Sequence, residues 1–305
     1  MSTQCVFVVG ASRSGTTLMH RILNSSSQIA ITNENHFLGH LVPWEGARYR
    51  LRKFGDLSDD ENVRRMVDYL YSGGFQRDSK HRPVSYHWLW IIEWVDKDDF
   101  LQRILDSDRT DRALFTTMMQ VYADHFGKPI MGEKTPAHFR YVSKLMEWFP
   151  DGKVIHMLRD PRGVYVSDLR RRKKLPVTFP FKQLQRFDFL LKFFIALQTT
   201  AVWFEGVLRA ASYRKRYPNR YYLLRFEDLV TEPDSHIRKL CDFLEVEFQD
   251  EMLKQEVVSI GFRWKEFGFD EKAATRWKEH IDPWVNAWFS FWVGSYLKKY
   301  GYVDC

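Results

Sequence analysis

Four apolar residues, Val6-Phe7-Val8-Val9, stop at Gly10, and a second glycine, Gly15, opens a helical pattern a few residues later. A short β-branched run bounded by glycine fits a strand buried on both faces in a parallel sheet. The connecting loop reads Gly10-Ala11-Ser12-Arg13-Ser14-Gly15-Thr16-Thr17, and Leu18, Ile22 and Leu23 follow at helical spacing. A strand, a glycine loop and a helix in this order present unpaired amides at a helix N-terminus, where the dipole favours an anion. The competing reading is an ordinary glycine turn, which the upstream strand and the hydroxyl-rich loop disfavour. The two glycines nearly match the spacing of a nucleotide-binding phosphate loop, but Thr16 stands where that motif places lysine. A β/γ-phosphate chain would lose its main cation there. Arg13 offers charge instead, so the loop suits an anion smaller than a triphosphate tail.

Further apolar runs begin near Gln28, Pro129, Lys153 and Tyr221, with helical stretches between them. This alternation predicts a three-layer α/β fold with a central parallel sheet flanked by helices. At 305 residues the chain can form one such domain with a large core. Residues 181–217 read as one long helical stretch, and 136–148 as another opened by Pro136. The aromatic run 283–297 is shorter than a membrane span and contains Asn286, Ser290 and Ser295, so it reads as a buried helix. Three cysteines, Cys5, Cys241 and Cys305, without a C-x-x-C pattern, argue against a disulfide framework or zinc site and for a reducing compartment. A strand starting at Cys5 leaves no room for a signal peptide, so a cytoplasmic location is expected. The net charge of +7 favours anionic partners without choosing among them.

Three strand ends carry chemistry. The run 28–33 ends at Glu34-Asn35-His36, whose outer residues share a face if the chain stays extended. The short strand at 129–132 leads into Glu133-Lys134-Thr135-Pro136, which puts Lys134 at a strand–helix junction. The run 153–158 leads into Arg159-Asp160-Pro161-Arg162, where Asp160 is a suitable N-cap and Pro161 a suitable first helical residue. Ser167 and Arg171 lie four apart on that helix, and with Arg159 can converge on one dianion. The basic run 170–174 admits a nucleic-acid reading. No recognition motif accompanies it, and cations at a helix C-terminus are ordinarily a solvated face.

Ser12-Arg13-Ser14-Gly15-Thr16-Thr17 resembles the 5′-phosphosulfate loop of sulfotransferases that use 3′-phosphoadenosine 5′-phosphosulfate (PAPS). The likeness is to the branch of tyrosylprotein sulfotransferases and bacterial natural-product enzymes, where the loop reads R-S-G-T-T. The resemblance implies a P-loop-like three-layer domain over 1–305, with PAPS as donor and no metal. It implies Arg13, Ser14, Gly15, Thr16 and Thr17 at the 5′-phosphate, and Arg159, Ser167 and Arg171 at the 3′-phosphate. Glu34 would be the general base. His36 is the other candidate, because other sulfotransferases use histidine. Lys134, in G-E-K-T-P, would contact the sulfuryl group and the leaving oxygen, with Arg13 assisting. Thr275 and Arg276 resemble a segment that closes over the nucleotide. Phe226 departs from the family's tyrosine and takes no polar role.

The acceptor is expected to be a small metabolite or natural product of secondary metabolism, sulfated on a hydroxyl or amine. An acceptor-recognition insertion is expected at about 40–127, where Tyr86, Trp88, Trp90 and Trp94 either line a pocket or fill the core. No nucleic-acid or membrane partner is expected, and the oligomeric state is not legible. The alternative is a P-loop kinase or NTPase acting on a small molecule. The missing lysine and the lack of a clear magnesium-binding aspartate disfavour it. An anion-binding module without catalysis would leave Glu34 and Lys134 unexplained.

Overall fold

A computed structural model describes residues 4–75, 88–174, 181–259 and 262–302. Five strands, β1 (Cys5–Gly10), β2 (Ile29–Thr32), β3 (Ile130–Lys134), β4 (Lys153–Leu158) and β5 (Tyr221–Arg225), form one parallel sheet in the order β2-β3-β1-β4-β5. The strands begin where the apolar runs placed them. In the register of β1 with β3, Val8 faces Lys134, and in that of β2 with β3, Thr32 faces Glu133. Glu34 and Lys134 therefore leave neighbouring strands at the same level. Burial explains the composition: every residue of β1, β2, β3 and β4 is buried, as a sheet covered on both faces requires.

The chain falls into two compact units, Met1–Val9 with Met19–Ile155, and Gly10–Leu18 with His156–Cys305. The first carries α1 (Thr16–Ser25, from Met19 onward), α2 (Ala47–Leu51), α3 (Asp60–Tyr71), α4 (Leu89–Trp94), α5 (Lys97–Leu105), α6 (Asp111–His125) and α7 (Val142–Trp148). Local capping sets several of these boundaries. Asp59 accepts from the Glu61 amide at the start of α3, and Asp96 from the Asp98 and Asp99 amides at the start of α5. Phe7, Phe37, Phe115 and Phe149 stack into this unit's core, each worth about 1.5–3 kcal/mol on full burial. The expected helix at 136–148 is two elements, a 3-10 turn Pro136–Arg140 followed by α7. The tight turn folds His138 back onto Glu133, 3.1 Å away, with both side chains fully buried.

The second unit holds α8 (Pro161–Lys174), α9 (Phe181–Leu184), α10 (Asp188–Arg216), α11 (Phe226–Thr231), α12 (Pro233–Leu244), α13 (Pro283–Lys299) and an antiparallel hairpin of β6 (Glu256–Ser259) and β7 (Phe262–Phe267). Its core packs Tyr165 of α8 with Ile195 and Trp203 of α10 and Phe289 and Val293 of α13. The stretch expected as one helix over 181–217 breaks before Asp188, where Phe187 is extended and Asp188 supplies the acidic first turn that favours a helix start.

Candidate active site

In the second unit, the loop after β1 is held open by glycine. Gly10 has φ 150° and Gly15 φ 96°. A Cβ on Gly10 would lie 2.4 Å from the Met157 carbonyl oxygen, and one on Gly15 2.5 Å from the Phe226 ring. Between them Ser14 folds back, its Oγ donating to the Ala11 carbonyl at 2.6 Å. Arg13 itself takes the left-handed conformation, φ 72°, which non-glycine residues adopt mainly under local constraint. Its Nε donates to Ser167 Oγ at 3.1 Å. Arg159 holds the same turn from β4, donating through Nη1 to the Arg13 carbonyl at 3.1 Å and through Nη2 to the Ala273 carbonyl at 3.0 Å.

The Arg159 guanidinium lies 4.2 Å from the Phe226 ring centroid. Among the described residues its Nε is a buried donor without a partner. Burial lowers its pKa to about 10, the Arg13 cation adds to that, and Glu227 opposes it. A half-buried cation facing carbonyls and a ring, with one buried donor left over, is a preformed seat for an anion.

The expected cap Asp160 and two residues that the sequence reading did not single out, Glu227 and Gly163, build this seat. Asp160 Oδ1 accepts from the Arg162 amide at 2.9 Å, the expected cap, and its carboxylate also holds the Arg162 guanidinium at 2.8 Å. Glu227 Oε1 accepts from the Asp160 amide at 3.0 Å. Gly163 keeps the space clear, since a Cβ there would lie 3.2 Å from Arg159 Nε and 3.3 Å from Trp277. The glycine after R-D-P-R was the available signal. Among the expected anion ligands, Arg13, Ser167 and Arg159 are linked. Ser14 and Thr16 are buried, and Thr17 is exposed. Arg171 is one turn past Ser167, exposed, and no described residue pairs with it. Arg276 is committed to Asp270 at 2.8 Å. Thr275 joins two short 3-10 turns, two residues beyond the Ala273 carbonyl that receives Arg159.

In the first unit, Lys134 Nζ donates to Glu34 Oε1 at 2.7 Å, and His36 Nε2 lies 3.6 Å from Glu34 Oε2. The lysine and histidine are nearly buried, whereas the Glu34 side chain is 29% exposed. Burial alone would raise the Glu34 carboxyl. The His36 hydrogen bond and the Lys134 charge outweigh it and hold the group well below 4.5. The chain here is not extended as the sequence suggested. β2 stops at Thr32, and His36 has φ 49°, yet the turn still brings both side chains together.

Thr135 fixes that turn. Its buried Oγ1 accepts from the amides of Asn35 (3.2 Å) and His36 (3.4 Å). Trp88 Nε1 adds a bond to the Asn35 carbonyl at 3.1 Å. His138 Nε2 accepts from the Leu38 amide at 3.3 Å, so its Nδ1 carries the hydrogen that Glu133 receives. Trp88 and Trp90 are buried, packed on Phe75 and Tyr122 respectively. They are core rather than pocket lining, while Trp94 remains exposed and Tyr86 lies outside the described residues. In the basic run, Arg172 is paired with Asp168 at 2.6 Å and Lys173 with Asp188 at 2.5 Å.

A profile described as the sulfotransferase family matches residues 5–250. The omega-hydroxy-beta-dihydromenaquinone-9 sulfotransferase Stf3 of Mycobacterium tuberculosis is 29% identical over 258 residues, which cover 78% of this chain and 62% of that protein. The protein-tyrosine sulfotransferase of Drosophila melanogaster is 22% identical over 254 residues, covering 82% of this chain and 40% of that protein. The chain thus spans less than two thirds of the length of these relatives. Among solved structures, the sulfotransferase domain from the Synechococcus PCC 7002 olefin synthase superposes with a TM-score of 0.56 at 18% identity, covering 92% of this chain and 90% of that one.

Proposed function

Because this chain belongs to the sulfotransferase family, we propose that it transfers a sulfuryl group from PAPS to a hydroxyl or amine of an acceptor. The observation that carries this reading is the joined cluster of Arg13, Ser167 and Arg159, with the Arg159 Nε buried and unpartnered among the described residues. That cluster suits a compact dianion such as a 3′-phosphate, and Thr16 denies a triphosphate its lysine. PAPS would supply the activated sulfuryl group and leave as adenosine 3′,5′-bisphosphate.

The chain's own residues would divide the work. The loop at 13–17 would hold the 5′-phosphate at the start of α1, and Arg159, Ser167 and Arg171 the 3′-phosphate. Thr275 and Arg276 would close over the nucleotide. Lys134 would neutralise charge gathering on the leaving oxygen, assisted by Arg13, a contribution typically of a few kcal/mol in a dry site. Glu34 would take the acceptor proton, with His36 as the alternative base. While Lys134 and His36 hold it, the Glu34 carboxylate is a weak base. Anionic donor that draws Lys134 charge away would raise its proton affinity.

The reading also keeps the segment 40–127 as the acceptor-recognition region, a small metabolite or natural product as acceptor, and a cytoplasmic location. Isothermal calorimetry with adenosine 3′,5′-bisphosphate, beside ATP with magnesium, tests the donor. Binding of ATP–magnesium in preference to the bisphosphate would return the chain to the P-loop kinase reading.

A further inference from the structure

One face of α10 is core, formed by Leu191, Ile195, Trp203 and Val207. The opposite face carries Phe189, Phe193, Leu197 and Leu208, all exposed, with Phe189 at 62%. The four-residue steps from 189 to 197 keep these side chains on one stripe. Beside it, α13 exposes Trp292 and, at 80%, Phe291. The rings form an unbroken chain. Phe189 meets Trp284 at 5.5 Å between centroids, Phe193 meets Trp288 at 5.5 Å, Trp288 meets Trp292 at 5.7 Å, and Trp292 meets Phe291 at 5.2 Å. Single exposed aromatics need no explanation, but a contiguous ridge of them marks an interaction surface.

The charge around the ridge indicates what covers it. Residues 181–216 and 282–299 contain nine Lys or Arg and three acids, Asp188, Glu205 and Asp282. All three acids are already paired, Asp188 with Lys173 and Lys192, Asp282 with Lys192, and Glu205 with Arg209. Lys182, Arg186, Lys298 and Lys299 are exposed. A second copy docking through the same face would set this basic rim against itself. An anionic bilayer answers both features: rings enter the boundary between headgroups and acyl chains, while lysines and arginines meet the headgroups. Tryptophan is favoured at that depth.

We infer that the outward face of α10 and α13 docks this protein onto a lipid bilayer bearing anionic headgroups. By length and composition α10 could cross a membrane, but 39% of its most apolar window is buried inside the protein. A helix built into the core on one side lies on a bilayer and does not span it. This replaces the expectation of no membrane partner. It is independent of the donor chemistry, since none of these residues belongs to the proposed donor or catalytic groups.

The test is flotation of the full chain with phosphatidylcholine vesicles, with and without phosphatidylglycerol. Binding to the mixed vesicles, weakened by salt, is expected. The double variant Phe189→Ser with Phe291→Ser should bind at least ~100-fold more weakly, and Lys298→Glu with Lys299→Glu at least ~30-fold more weakly. Both change exposed positions, so melting temperature and binding of adenosine 3′,5′-bisphosphate should match the parent. Failure of the parent to float with mixed vesicles overturns the inference, as does undiminished flotation of the phenylalanine variant. Equal binding to neutral vesicles overturns the anionic-lipid assignment. A parent dimer that the phenylalanine variant converts to monomer, measured by light scattering, makes a second copy the occupant instead.

Discussion

Glu34 meets two opposing demands. Its pairing with Lys134 and His36 holds the carboxyl well below 4.5 against the burial that would raise it. A carboxyl depressed in the folded state stabilises the fold at pH above its unfolded value, and that contribution disappears as pH falls toward the folded value. Glu34→Gln removes this dependence, so its melting temperature should fall less steeply on acidification than that of the parent below about pH 4.5. In turnover the same substitution keeps shape but cannot accept a proton. The maximal rate should drop by roughly 10²–10⁴. His36→Ala should cost less. A nearly intact Glu34→Gln enzyme beside a dead His36→Ala enzyme would transfer the base to histidine. Glu34 and Lys134 were legible as candidates in the sequence because each lies at the carboxyl end of an apolar strand run. Their ion pair was not, because it joins residues 100 positions apart and depends on the register of β2 against β3. Thr135 was invisible for the same reason: its role lies in two amides that only that register supplies.

At the scale of elements, two glycines make different claims. Gly15→Ala combines φ 96° with a Cβ 2.5 Å from the Phe226 ring. Strain of about 1–3 kcal/mol is expected, seen as a lower melting temperature together with loss of donor binding. Gly163 sits inside α8 without positive φ, and its added Cβ would press on Arg159 Nε at 3.2 Å. Gly163→Ala should leave the melting temperature nearly unchanged and weaken adenosine 3′,5′-bisphosphate about tenfold by displacing one charged donor. Arg159→Ala and Ser167→Ala should each cost that ligand about 1.5–3 kcal/mol, with far smaller losses for adenosine 5′-phosphate. Calorimetry showing equal losses for both ligands would remove the 3′-phosphate assignment. The capped start of α8 was readable because the cap is local: Asp160, Pro161 and the preceding apolar strand are consecutive. The break at 141 was not, because apolar periodicity continues through it and a tertiary partner, Glu133 for His138, interrupts the helix; at 185–187 the local start signal, Asp188, was hidden by the continuing apolar pattern.

For the whole molecule, the residues proposed to hold the two phosphates are distinct from Glu34, the proposed base. Donor binding and chemistry should therefore separate under mutation, with Glu34→Gln binding adenosine 3′,5′-bisphosphate as the parent does. Binding to the native state alone raises stability by about 2.7 kcal/mol at a ligand concentration 100 times Kd. For a chain of this length that corresponds to a shift of roughly 4 °C, within reach of a thermal melt. Magnesium should not alter it. The cations that would meet the donor are Arg13, Arg159, Arg171 and Lys134, all from the chain itself, and Arg159 is already desolvated to a pKa of about 10. A bound dianion restores favourable surroundings to that guanidinium without a counter-ion. EDTA should thus leave both the bisphosphate-induced shift and the transfer rate unchanged. If EDTA abolished transfer and magnesium alone restored it, the arginine seat would be insufficient to balance the donor's charge, and a metal-dependent phosphoryl-transfer chemistry would replace the present reading.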